Sequence, residues 1–428
     1  MPNLDFEKAM QSANYDIIFV ANIFLDDQNE YFSGGAEIHL LNICQTLNQN
    51  WGNSLQNNSE NNLENNSEKI KKPKILIIQK GKNAELITKD GLDILKIQTK
   101  DGFINTIFFE WKLANVLSKV NSKIVHFNYI GLESFVKKQK NTIYSTTFHG
   151  TCWDFPTFEF PQKYIQNNWK QKIGSKLVKW NYIRQQKKAL KWFDKILSVD
   201  TSLTRFAQMF LYELSTKIDV AYNFVDLTKF RPSEIPFESP KFTILYPRNI
   251  SFARGVHLLV PIANYIKAQN IDFVIKMVGA GFEGSQMSGY QKTLHAEIVS
   301  NNLEKNFEFV GRISHQKMPE LFQNCHIVTV PTYFSEGTSL SCLEAMATKK
   351  LVVVSNIGGL SDLVIDGHNG LISKPTAEQI AQNIILAYNL MSKNPEEIDQ
   401  MTKNAYEIVT KNNSLVSWQE KVSKFFGK

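Results

Sequence analysis

The sequence predicts an α/β protein built from two parallel-sheet domains, and three observations carry that expectation. The chain has 428 residues, too many for one core and enough for two domains of roughly 200 residues each. Runs such as Tyr15 to Asn22, Lys74 to Ile78 and Ile327 to Val330 are continuously apolar rather than alternating, as expected of strands buried on both faces. Stretches with helical spacing separate them. This β-α-β alternation is the signature of a parallel sheet.

Composition narrows the class. Hydrophobic residues make up 43% of the chain, an ordinary share for a globular protein, and a formal charge of +7 is too small at this length to argue for nucleic acid. Cys44, Cys152, Cys325 and Cys342 are scattered, with no Cys-x-x-Cys pair and no matching His cluster, so neither a disulfide framework nor a metal site is expected. Met1 to Asn14 is polar and acidic where a secretory signal would be basic and then apolar. The run Ile17 to Leu25 falls far short of the roughly 20 residues that span a bilayer. A cytoplasmic protein is expected, free to touch the inner face of a membrane.

Tyr15 to Asn22 is expected as a central strand. Its turn continues to Phe32-Ser33-Gly34-Gly35-Ala36-Glu37, ahead of a helix marked by Ile38, Leu41, Ile43 and Leu47. Two glycines before a helix let a ligand approach the backbone, although a plain turn fits these residues equally well. Residues 48–72, rich in Asn, Ser, Glu and Lys, cannot bury enough apolar surface to offset their ordering entropy, and are expected as a disordered insertion. Strands follow at Lys74 to Ile78, Lys123 to Asn128 and Tyr144 to Phe148, with a helix from Ile107 to Val120 and a His149-Gly150 terminus.

From Lys163 to Lys191 nine basic residues occur without an acid, while Ile165, Trp169, Ile173, Leu177, Trp180 and Ile183 recur at helical spacing. Two readings stay open: a basic amphipathic helix on an anionic membrane surface, or a stripe packed on the domain with solvated lysines. Asp194 to Val199 reads as a strand, Thr201-Ser202 as a helix cap, and the proline- and acid-bearing Ser233 to Pro240 as a linker. The domains are therefore expected at 1–232 and 241–410, with a final segment at 411–428.

Lys241 to Tyr246 opens the second domain as a strand and leads into Pro247-Arg248-Asn-Ile-Ser-Phe-Ala-Arg254-Gly255. Two cations in a loop that ends at a glycine and a helix start are placed to clamp a diphosphate, which arginine can do bidentately. Phe273 to Val278 leads into Gly279-Ala-Gly281-Phe-Glu-Gly284, which fits the pattern G-x-G-x-x-G. No acid ends the next strand, Phe307 to Val310, and the following helix starts late, so a glycine turn shaping a nucleotide pocket fits better than a dinucleotide site.

After the strand Ile327 to Val330 comes Pro331-Thr-Tyr-Phe-Ser-Glu336-Gly337-Thr338-Ser339-Leu340-Ser-Cys-Leu-Glu344, then Leu351 to Ser355 and a Gly358-Gly359 turn. A Ser/Thr-rich cap is expected to open a helix from Thr338. Glu336 then sits just before a helix N-terminus, and Glu344 about two turns later. By spacing alone the pair could be surface acids or a proton-transfer pair. Beyond Ile372 only helices are expected, the last from Leu415 to Phe426.

Taken in order over nearly the whole chain, these motifs resemble the family-four retaining glycosyltransferases, group 1 enzymes of GT-B architecture: α/β, two Rossmann-like domains facing a cleft. Glu336 and Glu344 match that family's paired glutamates. Gly34-Gly35, with Glu37 and His39, matches its glycine loop near the donor phosphates, and His149-Gly150 the floor of the cleft. Ile218 to Pro232 resembles the interdomain stretch, with Asn223-Phe224 where Asn-Gly is usual. Arg248 and Arg254 take the places of an arginine and a lysine that neutralise the leaving diphosphate.

The resemblance implies transfer of a sugar, with retention, from a nucleotide-diphosphate sugar to a hydroxyl of a glycan, lipid-linked or small-molecule acceptor. It implies no metal and no cofactor beyond the donor substrate. Arg248, Arg254, Glu336 and His149 would be catalytic. Gly34, Gly35, Gly279, Gly281, Gly337, Thr338, Ser339, Leu340 and Glu344 would bind the donor, Glu344 through the ribose. The last helix would cross back to the first domain. A GT-B sugar-nucleotide epimerase and a non-catalytic sugar-nucleotide-binding protein are the alternatives, and donor consumption with and without acceptor separates them.

Overall fold

The computed structural model of the chain describes residues 14–31, 35–56, 72–99, 103–150, 180, 183–184, 187–235, 237–279 and 289–427. Among them, Ile17, Ile18, Phe19 and Val20 are wholly buried. They belong to β1 (Asn14–Val20), which lies inside a sheet with β2 (Ile75–Gly81), β3 (Glu85–Lys89), β4 (Leu92–Gln98), β5 (Asn121–Phe127), β6 (Ile143–Phe148), β7 (Lys195–Ser198) and β8 (Ile218–Val220). The strand order is β3-β4-β2-β1-β5-β6-β7-β8. Every neighbouring pair is parallel except β3 with β4.

The continuous apolar run of β1 has its reason in this position. Ile18 and Val20 enter the core on one face with Phe109 and Leu113, while Ile17 and Phe19 enter the other with Leu40 and Ile43. Burying a large apolar side chain contributes about 1.5–3 kcal/mol, so a strand covered on both sides gains from every residue. The helix Leu415–Gly427 completes the second face: its Trp418, Val422, Phe425 and Phe426 pack with Ile17 and Phe19. The end of the chain is thus part of the first domain's core.

The second sheet holds β9 (Phe242–Pro247), β10 (Phe273–Val278), β11 (Phe307–Gly311), β12 (Ile327–Val330), β13 (Leu351–Ser355) and β14 (Leu371–Ser373). Its order is β11-β10-β9-β12-β13-β14, all parallel. The chain leaves β9 toward β10 on one side and later reaches β12 on the other. Such a reversal opens a crevice at the carboxyl ends of the two central strands. The first sheet reverses in the same way between β1, with β2 on one side and β5 on the other.

Several expectations change. The first helix runs Gly35–Gln56, so residues 48–56, expected within a disordered insertion, continue it; extending an existing helix is far easier than nucleating one, which polar composition alone does not register. Residues 57–71 lie outside the described residues, as do Gly34, Gly281 and the basic stretch 163–179. The hairpin β3–β4 was not expected, although Asp90 and Gly91 at its turn, with φ of 52° and 77°, are the residues such a turn favours. The short strand β14 was not expected either.

Candidate active site

Arg248 leaves β9 and Glu336 lies in the loop after β12, the two strands at the reversal of the second sheet. Arg248 Nη2 donates to Glu336 Oε2 at 2.7 Å and Nη1 donates to Ser339 Oγ at 3.0 Å. Arg254 Nη1 donates to the same Oε2 at 2.5 Å and to the Ser335 carbonyl at 3.0 Å. Thr332 Oγ1 adds a third donor to Oε2, at 3.0 Å. Burial opposes the charge of Glu336, yet the two guanidiniums hold its carboxyl below the ordinary range. Burial pulls Arg254 down, against the attraction of Glu336.

Local sequence makes this convergence possible. Gly255 has φ of 75°, and a Cβ there would fall 1.7 Å from the Pro331 carbonyl oxygen. Gly358 has φ of 53°, and its Cβ would fall 2.0 Å from the Glu336 carbonyl oxygen, while the Gly359 N–H donates to that same oxygen at 3.0 Å. The loops after β9, β12 and β13 therefore lie backbone against backbone, which only glycine permits. Gly279 backs the same cluster, since a Cβ on it would meet the Arg248 carbonyl oxygen at 2.2 Å.

The helix expected from Thr338 is Leu340–Ala347, with Ser339 at the N-cap. The Ser339 hydroxyl makes no capping bond to the helix backbone; it is taken by Arg248, so the Ser/Thr-rich cap serves the cation. Glu344 lies within that helix and pairs with a different partner, His315, whose Nε2 is 3.1 Å from its Oε1. Burial raises the Glu344 carboxyl. The two glutamates thus have separate partners. The proton-transfer pair that their spacing suggested does not form.

The first domain supplies the opposite wall. His149 follows β6; its Nε2 lies 3.1 Å from Asn128 Oδ1, and burial pushes its imidazole down to about 4. A Cβ on Gly337 would meet the His149 carbonyl oxygen at 2.8 Å, and one on Gly35 would lie 4.0 Å from Leu340 Cδ1. Thr338 Oγ1 donates to the Val199 carbonyl at 2.8 Å and accepts from the Asn223 N–H at 2.8 Å. Gly337 and Thr338, expected to meet the donor, are where the second domain touches the first.

Asp362 adds a contact that the sequence reading did not assign. It accepts from the Thr201 N–H at 2.7 Å, the Thr201 hydroxyl at 2.6 Å and Arg205 Nη2 at 3.1 Å. Thr201 was expected to cap its helix; instead Asp200 Oδ1 accepts from the Ser202 N–H at 2.8 Å, and the Thr201 hydroxyl crosses to the second domain. Thr332, Ser335, His315 and Asn128 were also missed. Their partners lie far away along the chain, except that Thr332 stands one helical turn's spacing before Glu336.

Arg248, Arg254, Glu336, Ser339 and Gly279 are therefore brought together, with Glu344 beside His315 and with His149, Gly35 and Leu340 where the domains meet. Among the described residues no group of three or more His, Cys, Asp or Glu is placed to hold a metal ion. No described helix is long and apolar enough to cross a membrane.

Residues 229–408 match the family Glycosyl transferases group 1. That match falls on the second domain and covers less than half of the chain. An uncharacterised glycosyltransferase of Methanocaldococcus jannaschii is 32% identical over 121 residues, which are 28% of this chain and 30% of that protein. The chain thus spans about a third of that relative's length in sequence. In fold the likeness extends further. Sucrose-phosphate synthase of Thermosynechococcus elongatus superposes with a TM-score of 0.70 at 17% identity, over 95% of this chain and 96% of that one. An Anabaena protein solved with UDP and glucose gives 0.62 at 14% identity, over 96% and 98%. At such identities the likeness speaks for the fold, which is the GT-B arrangement of two parallel-sheet domains.

Proposed function

We propose that this chain is a group 1, retaining glycosyltransferase that moves a sugar from a nucleotide-diphosphate sugar to an acceptor hydroxyl, in glycan, polysaccharide or glycolipid synthesis. The observation that carries the reading is the convergence of Arg248 and Arg254 on one loop at the reversal of the second sheet. Two guanidiniums against one carboxylate leave a net positive charge there, where a nucleotide's phosphates would lie. The Anabaena protein of similar fold, solved with UDP and glucose, supports a sugar nucleotide as the ligand.

Cleavage of the bond between the sugar's anomeric carbon and the diphosphate oxygen builds negative charge on the diphosphate. Preorganised cations stabilise that charge without needing to reorient. The acceptor oxygen bonds to the anomeric carbon on the same face, and its proton passes to the departing phosphate oxygen. Glu344, with its high carboxyl, would accept from the ribose hydroxyls. Glu336 would hold the guanidiniums in place and meet the transferred sugar, with His149 opposite. The arginine pair supplies the charge that a metal would otherwise bring, so activity is expected to be independent of metal.

Incubation with a panel of nucleotide sugars, with and without acceptor, tests this. Donor consumption only with acceptor, product of the donor's anomeric configuration by NMR and undiminished turnover in excess chelator are expected. An inverted product refutes the retaining reading. Consumption without acceptor favours the epimerase.

A further inference from the structure

We infer that Asn128 is a positioning residue for transfer, which fixes the proton of His149 on Nε2 and so turns the imidazole's Nδ1 lone pair into the acceptor for a hydroxyl of the transferred sugar. The inference deepens the nucleotide-sugar reading and rests on it.

Asn128 follows β5 beside the reversal of the first sheet and is completely buried. Its backbone N–H donates to the Val20 carbonyl at 2.8 Å. Its side-chain Nδ2 donates to the Ala36 carbonyl at 3.2 Å, in the helix that the glycine loop opens. A carbonyl oxygen only accepts, so the amide nitrogen must face Ala36, and the amide oxygen must face the other way. That oxygen lies 3.1 Å from His149 Nε2. An amide oxygen has no proton to give, so Nε2 must carry one.

The neighbours keep the ring in this state. His39 packs edge-on against His149 with centroids 5.2 Å apart, and Tyr129 lies at 5.5 Å. Tyr129 is itself tied by its hydroxyl to Glu37 at 2.6 Å, on the same helix as Ala36. Burial disfavours the imidazolium, so the ring has one proton and one lone pair. With the proton committed to Asn128, His149 can only accept through its remaining nitrogen. A sugar hydroxyl, which can donate, fits that nitrogen, and an acceptor-only group such as a phosphate oxygen does not. The glycine-loop helix thereby sets, through Ala36 and Asn128, which hydrogen-bonding sign the first domain presents to the donor sugar.

Two-bond 1H–15N correlation on histidine-labelled protein, with His149 identified by its loss in His149→Gln, reads the tautomer directly. The free protein is expected to carry the proton on Nε2 as a hydrogen-bonded signal protected from water, and a proton on Nδ1 overturns the inference whatever the chain catalyses. In Asn128→Leu, which offers Nε2 no acceptor, that protected signal is expected to vanish. With UDP-glucose, UDP-N-acetylglucosamine and GDP-mannose as probes, the Nδ1 resonance should move for the productive donor and stay still for the matching nucleoside diphosphate.

Asn128→Leu should lower kcat/KM for that donor roughly tenfold, the loss of about one hydrogen bond's discrimination, while nucleoside diphosphate affinity is unchanged. Full turnover in Asn128→Leu overturns the inference. If no probe binds or turns over, the nucleotide-sugar reading fails by itself, and the free-protein tautomer still decides the assignment of Asn128.

Discussion

Arg248 and Glu336 form an ion pair at 2.7 Å with side chains only 8% and 7% exposed. Removing one member of such a pair leaves an uncompensated buried charge, at a cost of about 3–5 kcal/mol. Here the orphaned charge would be double, because Arg254 reaches the same carboxylate oxygen. Glu336→Gln should therefore lower the unfolding free energy in denaturant titration by about 3 kcal/mol or more. Added inorganic pyrophosphate should raise the melting temperature of this variant more than that of the wild type, since it supplies the missing anion. Equal shifts would show that the guanidiniums are not the anion site.

Gly358→Ala should be far more damaging than an ordinary surface change. The new Cβ would stand 2.0 Å from the Glu336 carbonyl oxygen, at a backbone φ of 53°. The loop carrying Glu336 must shift, and both guanidiniums lose their partner. Transfer activity should fall by at least about tenfold if the loss reaches 1.4 kcal/mol at the transition state, with the far-UV spectrum retained. Gly367, which also has positive φ but nothing within 4 Å of its Cβ, is the control: alanine there should affect only stability.

Thr338→Val removes a hydroxyl that the Val199 carbonyl accepts from and the Asn223 N–H donates to. One buried and one part-buried backbone group lose their partners, at about 1–3 kcal/mol for the buried one. Both lie on the first-domain side of the contact. The expected result is lower stability by denaturant titration together with a change in the domain orientation seen by small-angle scattering, while nucleoside diphosphate affinity stays near wild type.

Much of the fold was legible because parallel strands buried on both faces leave continuous apolar runs, as at Ile17 to Val20 and Ile327 to Val330. The hairpin β3–β4 escaped because its edge strand exposes Leu86, 42% accessible, so the strand lacks a clean apolar face. In the site, residue types and order pointed to Arg248, Arg254 and Glu336. Their pairing was not legible, since the partners stand 88 and 82 residues apart. Nor could spacing reveal that Thr338 meets Val199 across 139 residues, or that the Ser339 hydroxyl serves Arg248 rather than the helix. Local rules describe a residue's neighbours along the chain, and these roles are set by neighbours in space.

His126 gives the fold a readable pH dependence. It is completely buried, with its ring nitrogens 2.9 Å from Ser145 Oγ and 2.8 Å from Thr147 Oγ1. Burial, with a smaller effect from His149, pushes its imidazole from an ordinary 6.5 down to about 3. Between those values the unfolded chain binds the proton and the folded chain does not. Its contribution is therefore complete above pH 6.5 and is lost as pH falls toward 3, at up to about 1.4 kcal/mol per pH unit. Asp200, pushed up to about 6, acts in the opposite sense, so the measurement is the difference between wild type and His126→Asn. Chemical denaturation across that range should show a shallower acid loss in the variant; parallel curves would contradict the assignment.

The central claim is that Arg248 and Arg254 hold the diphosphate of a sugar nucleotide, and calorimetric binding tests it most directly. Wild-type protein should bind one nucleoside diphosphate from a panel of bases clearly more tightly than the corresponding monophosphate, by roughly tenfold or more for a charge-assisted contact to the second phosphate. Arg254→Ala should abolish that difference while leaving monophosphate affinity within about twofold, a change of only some 0.4 kcal/mol. A diphosphate preference that survives the loss of Arg254, and of Arg248 in turn, would contradict the account.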